Sequence, residues 1–228
     1  MFVLNPLPPQ IEPDLIELLA QAQPATLGHF LEFGFVDPGV RALWQVPRIA
    51  GTAVTCRCSG LDGTIIRYAL GQIRAGDVLV IDRVGDHRAA LIGGSVAFAA
   101  RKLGVAGIII DGTATDISEI RDYQMPIWGR GLSSLTTKRL LQNGEFCVPV
   151  VCGGISISPG DAILADENGI VVLGPSQVRD SAERAIAMQE LEVPLLEALA
   201  KGIRLPDFEG TSGLMREIVA TQSTANRP

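Results

Sequence analysis

At 228 residues, with 47% hydrophobic and 19% charged side chains, the chain is long enough to bury a sizeable core and too apolar to be disordered. Its formal net charge of −6, with no basic cluster beyond Arg101-Lys102, argues against a nucleic-acid partner. No apolar run approaches the roughly 20 residues that cross a bilayer, and MFVLNPLPPQ lacks the basic start and long apolar stretch of a secretory signal, so no membrane partner and a cytoplasmic location are expected.

Residues 11 to 35 carry two helical patterns separated by Pro24, one with Leu15, Leu18 and Leu19, the other with Leu27, Phe30 and Leu31. Pro38-Gly39 marks a loop, and the alternation from Arg48 to Cys58 reads as a strand. Ser59 to Gly63 is a turn, Thr64 to Ile73 a helix, and Asp77 to Asp82 a strand with an apolar centre. Further on, Phe146 to Ile157 reads as short strands broken by Pro149 and Gly153-Gly154. Asp161 to Ala165 and Gly169 to Leu173 are two more, joined across the turn residues Asp166-Glu-Asn-Gly. A long helix from about Pro175 follows, in which Pro194 predicts a kink because it lacks a backbone donor and crowds the preceding turn. The cysteines, Cys56, Cys58, Cys147 and Cys152, lie in strand-like sequence rather than in the turns of a zinc site, and read as buried thiols.

The densest information lies between residues 93 and 131. Gly93 and Gly94 precede a helix with Ser95 as its expected N-cap, and Gly104 suits the left-handed position beyond its end. Gly107-Ile-Ile-Ile-Asp111 is short, β-branched and bounded by glycines, which predicts a buried strand. Asp111-Gly-Thr-Ala-Thr115-Asp116 follows at its carboxyl end, ahead of a second helix start. Open α/β sheets receive ligands at such strand ends, and helix N-termini attract anions.

GDVLVID (76–82), GDHRAALIGG (85–94), GVAGIIIDGTATD (104–116) and PIWGRG (126–131) together resemble the RraA-like family, as do RIAGTAVT (48–55) and PGDAILADENGIVV (159–172). The resemblance implies an α/β fold, a swivelling β/β/α-type mixed sheet flanked by helices. It implies a single domain over 1–228, with a core of about 25–202, assembled as a homotrimer or hexamer; the tail from about 213 to 228 reads from its own residues as flexible. It also implies one of two roles. Class II pyruvate aldolases of this family cleave 4-hydroxy-4-methyl-2-oxoglutarate and often decarboxylate oxaloacetate. The regulator of ribonuclease E activity is a binding protein without catalysis.

On the aldolase side, the resemblance makes Asp116 the one direct protein ligand of Mg²⁺ or Mn²⁺, hard cations that keep several waters. The residues allow another reading, since Asp116-Ile-Ser-Glu119 has the spacing of a capping box. Thr115 stands where the aldolases have an arginine for the pyruvate carboxylate, and Gly94 where they carry an acidic residue. Arg67 is the first substitute cation by family placement and Arg88 the second, whereas Arg121 and Arg130 read as structural. Gly93, Gly94, Ser95 and Val96 form a backbone cradle for the substrate carboxylate, with Thr115 beside it. Glu192, in the last long helix, stands where the family places a glutamate that reaches a neighbouring subunit. The expected function is a metal-dependent lyase on a small 2-oxo acid; the rivals are a regulatory binding protein and an enzyme with another substrate.

Overall fold

The computed structural model describes residues 1–225, and side chains through residue 222. Strand β1 (Phe2–Leu4) is followed by α1 (Pro13–Leu19) and α2 (Pro24–Leu27), each opened by a proline whose missing N–H is not needed in a first turn. Next come β2 (Arg41–Ala42), β3 (Ile49–Arg57), α3 (Thr64–Ala69), β4 (Asp77–Asp82) and β5 (Ala90–Ile92). The central segment supplies α4 (Gly94–Lys102), β6 (Gly107–Ala114), α5 (Ile117–Asp122) and β7 (Ile127–Leu132). Short strands β8 (Gly144–Phe146), β9 (Val150–Cys152), β10 (Ile155–Ile157), β11 (Ala162–Asp166) and β12 (Gly169–Leu173) follow. A 3-10 turn at Pro175–Gln177 leads into α6 (Val178–Ala200), then α7 (Leu205–Phe208) and α8 (Thr211–Ala225).

The chain divides into two compact units, Met1–Glu183 and Arg184–Pro228. In the first, strands β3, β4, β6 and β7 run parallel and adjacent, in the register Val54↔Leu79, Val80↔Ile109 and Ile109↔Trp128. Strands β8 and β11 pair antiparallel with β3, β12 with β11, and β5 extends the sheet along the end of β6. The period of two sends alternate residues to opposite faces. Val54, Leu79, Ile81, Ile108 and Ile110 meet Ile65, Ile66, Ala97, Ala100 and Ile120 of α3, α4 and α5 on one face. Ala53, Val78, Val80, Ile109 and Trp128 meet Val150, Cys152, Ile157, Ile163 and Val172 of the short strands on the other. The result is a mixed α/β fold of β/β/α layers. Burial on both faces is why β4 and β6 read as unbroken apolar runs.

The central helix begins two residues earlier than the sequence indicates. Gly93, in extended conformation, holds the N-cap position instead of Ser95, because the following backbone turns helical at Gly94. Gly104 takes the expected left-handed conformation, φ +75°. α3 ends at Ala69 rather than Ile73, the remainder forming turns. All four cysteines are free and buried. In the second unit, helix runs continuously through Pro194, and α7 packs on α8. Of the tail expected to be flexible, residues through Ala225 belong to α8, and 226–228 lie outside the described residues.

One buried carboxylate pins the loop after β7. Asp62 is 1% exposed and accepts hydrogen bonds from the hydroxyl and N–H of Thr64 and from the N–H groups of Leu140, Gln142 and Asn143. Burial alone would raise its pKa, but the Thr64 hydroxyl and the N–H groups outweigh it and hold the carboxyl far below its ordinary range. We expect Asp62→Ala to lower stability by about 3 kcal/mol or more by urea denaturation, since it leaves several donors unpaired. A carboxyl depressed in the folded state stabilises above its unfolded pKa of about 3.9, and that contribution fades as pH falls toward the folded value. Stability should therefore fall more steeply below about pH 4 in the parent than in Asp62→Asn.

Candidate functional site at the end of strand β6

At the carboxyl end of β6 the chain turns sharply, and the turn is made by Asp116 in the left-handed conformation, φ 54° and ψ 40°. Asp tolerates this region better than most residues. The turn aims its side chain away from α5. Asp116 makes no cap hydrogen bond to α5, so the capping-box reading is incorrect despite the matching spacing. Its Oδ2 instead accepts the N–H of Gly94, 2.9 Å away at the first turn of α4, and its Oδ1 lies 3.3 Å from the Thr115 hydroxyl. A further hydrogen bond from Thr115 N–H to Ile92 O holds the ends of β5 and β6 together. An exposed carboxylate thus sits at the positive end of α4.

The glycines beside it are a steric requirement. A Cβ on Gly93 would lie 2.7 Å from Asp116 Oδ2, and one on Gly94 would lie 1.9 Å from Glu119 Oε2. Within the expected cradle of Gly93, Gly94, Ser95 and Val96, the Gly94 donor is already engaged by Asp116. The N–H groups of Ser95 and Val96 have no acceptor among the described residues.

Arg88 lies in an exposed loop whose carbonyl accepts the Ser133 hydroxyl at 2.6 Å, while Ser133 N–H bonds to Ala114 O. Two hydrogen bonds thus connect the Arg88 backbone to the residue before Thr115. Its guanidinium makes no hydrogen bond or ion pair among the described residues. Arg67 is exposed on α3 and is likewise unengaged. Glu192 is exposed on the part of α6 that belongs to the second unit.

Other charged residues at these strand ends are neutralised. Asp82 and Asp111 are register partners on β4 and β6; Arg57 pairs with Asp82 at 3.2 Å and Arg130 with Asp111. Burial would raise the Asp111 pKa, but Arg130 and the Gly153 N–H outweigh it and hold the carboxyl below its ordinary range. His87 Nε2 lies 3.5 Å from Asp111 Oδ1. Arg83 is fully buried, bonded to the carbonyls of Cys58 and Gly60, which its position after an apolar strand did not indicate. Asp116 and Glu119, by contrast, have no cationic partner within ion-pair distance among the described residues. Local desolvation, Glu119, Asp122 and Asp116 together hold the Tyr123 phenol above its ordinary pKa. An apolar groove of about 650 Å³ lined by Phe30, Phe33, Ile155 and Leu173 lies in the same unit, but the unneutralised carboxylates point to the β6 end as the chemical site.

The described residues contain no group of three His, Cys, Asp or Glu placed to hold a metal ion, which leaves no cage of the zinc kind. One exposed carboxylate, with a lone pair to spare on each oxygen and no competing cation among the described residues, does fit a hard divalent ion that keeps most of its waters. Asp116 would hold it.

A family model described as RraA-like, Aldolase/RraA, matches residues 25–172. A Thermus thermophilus protein named 4-hydroxy-4-methyl-2-oxoglutarate aldolase is 36% identical over 155 residues, covering 67% of this chain and 90% of its own. A solved structure from Pseudomonas syringae pv. tomato superposes with a TM-score of 0.74 at 26% identity, covering 89% of this chain and 98% of that one. The RNA-processing inhibitor RraA of Thermus thermophilus superposes at 0.61 with 28% identity, covering 67% and 93%.

The Gly94 bond makes a stability prediction. Asp116→Ala should lose about 1–2 kcal/mol, from the vacated acceptor and a left-handed Ala, whereas Asp116→Asn keeps both features and should lose less than about 0.5 kcal/mol. Equal urea midpoints for the two variants would show that the bond contributes nothing.

Proposed function

The chain belongs to the RraA-like family, and from that premise we propose that it is a divalent-metal-dependent carbon–carbon lyase acting on a small 2-oxo acid, by retro-aldol cleavage or decarboxylation. The observation that carries this reading is the Asp116 carboxylate, exposed and without a cation partner among the described residues, at the carboxyl end of β6. Asp116 would hold Mg²⁺ or Mn²⁺, which would supply Lewis-acid chemistry to a 2-oxo acid. Gly94 N–H orients Asp116, and the unclaimed N–H groups of Ser95 and Val96 receive the carboxylate at the α4 terminus, with the bare Gly93 and Gly94 backbone below. Thr115 offers a hydroxyl at the same rim. Arg88 supplies the cation in preference to Arg67, because its loop is joined by hydrogen bonds to the β6 end. The functional assembly is a homotrimer or hexamer, to which Glu192 contributes, and sedimentation as a monomer at micromolar concentration would remove this part.

A second reading, a non-catalytic binding protein, is favoured by Thr115, which cannot pair with a carboxylate as a guanidinium does, and by the similarity to the RNA-processing inhibitor. Activity and metal binding separate the two. Asp116→Asn should abolish Mg²⁺ binding measured by calorimetry and any oxaloacetate decarboxylation. Thr115→Arg should raise decarboxylation about tenfold or more, the worth of a charge-assisted hydrogen bond. If neither parent nor Thr115→Arg turns over oxaloacetate while both bind Mg²⁺, the decarboxylase reading fails and the binding protein leads.

No helix among the described residues is long and apolar enough to cross a membrane.

A further inference from the structure

Arg83 is 0% exposed, the only arginine buried among the described residues. Burying a guanidinium is costly unless its donors are paired, and here two loops pair them. Nη1 donates to Cys58 O at 3.3 Å, and Nη2 to Gly60 O at 2.7 Å and to Asp86 Oδ2 at 3.4 Å. Asp86 is its sole ion-pair partner among the described residues. The stem of the side chain lies over Gly112 on β6, where an added Cβ would be 2.6 Å from Arg83 Cγ. Gly112 precedes Asp116 by four residues, so the arginine is seated on the strand that ends at the site.

The same contact extends to Arg88. While Asp86 Oδ2 faces Arg83, its Oδ1 accepts Arg88 N–H at 3.0 Å. On the other side, Arg88 O accepts the Ser133 hydroxyl at 2.6 Å, and Ser133 N–H is bonded to Ala114 O. The Arg88 backbone is thereby held from both sides, whereas its exposed guanidinium is uncommitted among the described residues. Between Arg83 and Asp86 the chain passes through Val84 and Gly85 in left-handed conformation, φ 53° and 76°. A β-branched residue is strained there and persists only where its surroundings over-determine it. Both ends of this turn are tied, Val84 N–H to Asp82 Oδ1 at 2.7 Å and Asp86 to Arg83. We propose that Arg83 is a positioning residue that, through Asp86, fixes the backbone from which Arg88 reaches the substrate carboxylate at the β6 end. The inference rests on the lyase reading above, in which Arg88 supplies the cation.

Calorimetric binding of oxalate, a small planar dianion, in the presence of Mg²⁺ tests this without turnover. Arg88→Ala should weaken oxalate binding about tenfold or more, the worth of a charge-assisted hydrogen bond. Arg83→Met keeps a stem over Gly112 and removes the guanidinium. It should weaken oxalate by about the same factor and leave Mg²⁺ affinity unchanged, because a displaced cation loses its partner while Asp116 does not. Arg83→Lys should recover part of that loss, since it keeps a cation for Asp86. The double variant Arg83→Met with Arg88→Ala should bind oxalate no more weakly than Arg88→Ala alone, because nothing is left to position. In oxaloacetate decarboxylation, Arg83→Met should raise KM and keep kcat. Should Arg83→Met fail to fold, Asp86→Ala, at the half-buried end of the link, takes its place in the cycle with the same expectation. If Arg88→Ala weakens oxalate but Arg83→Met does not, or if the two losses add in the double variant, Arg83 serves the fold alone. This inference is then overturned and the lyase reading stands. Oxalate binding that survives Arg88→Ala overturns it as well and places the cation elsewhere. A parent that binds no oxalate sinks both.

Discussion

The hydrogen bond from Gly94 N–H to the Asp116 carboxylate joins two elements that sequence order keeps apart, the first turn of α4 and the turn after β6. It depends on several constraints together. Gly93 must be bare, because a Cβ there would crowd Asp116 Oδ2; Asp116 must be left-handed, or its side chain would face α5; and β5 must lie against the end of β6, which Thr115 N–H to Ile92 O secures. With these met, the α4 dipole and one directed donor stabilise a carboxylate that no cation among the described residues neutralises. The site follows from that arrangement more than from any one side chain.

The parallel strands explain why polar residues gather there. Strands β3, β4 and β6 bury both faces, so their charged residues collect where the apolar runs stop. Asp82 and Asp111 are neighbours in register, and mutual repulsion would destabilise the pair without Arg57 and Arg130. Both are therefore committed to structure. Five and eight residues after Asp111, once the chain has left the strand, Asp116 and Glu119 carry no such partner among the described residues. The difference between a neutralised and an unneutralised carboxylate separates fold from candidate chemistry within one short segment.

The fold was legible because its signals are local and redundant. The limits of β4 and β12 agree with the apolar pattern to the residue, since a strand buried on both faces tolerates no polar interruption. The β1 and β2 strands gave no comparable signal: three and two residues long, they are strands only because β8 and β7 offer partners. Asp62 read as an ordinary turn residue for the same reason. Of its five donors, three come from residues 140 to 143, far along the chain.

The sequence by itself determined the layered architecture, the family, and the position of Asp116 at a strand end, because each rests on periodicity or on ordered motifs within a few residues. The tertiary structure decided what Asp116 does. The spacing to Glu119 fits a cap on α5, but a single left-handed backbone conformation turns the carboxylate to α4. It also decided that Glu119 occupies the space over Gly94. Spacing along the chain constrains which residues are able to meet, whereas the direction in which a side chain leaves the backbone is settled by dihedral angles and by neighbours brought from elsewhere.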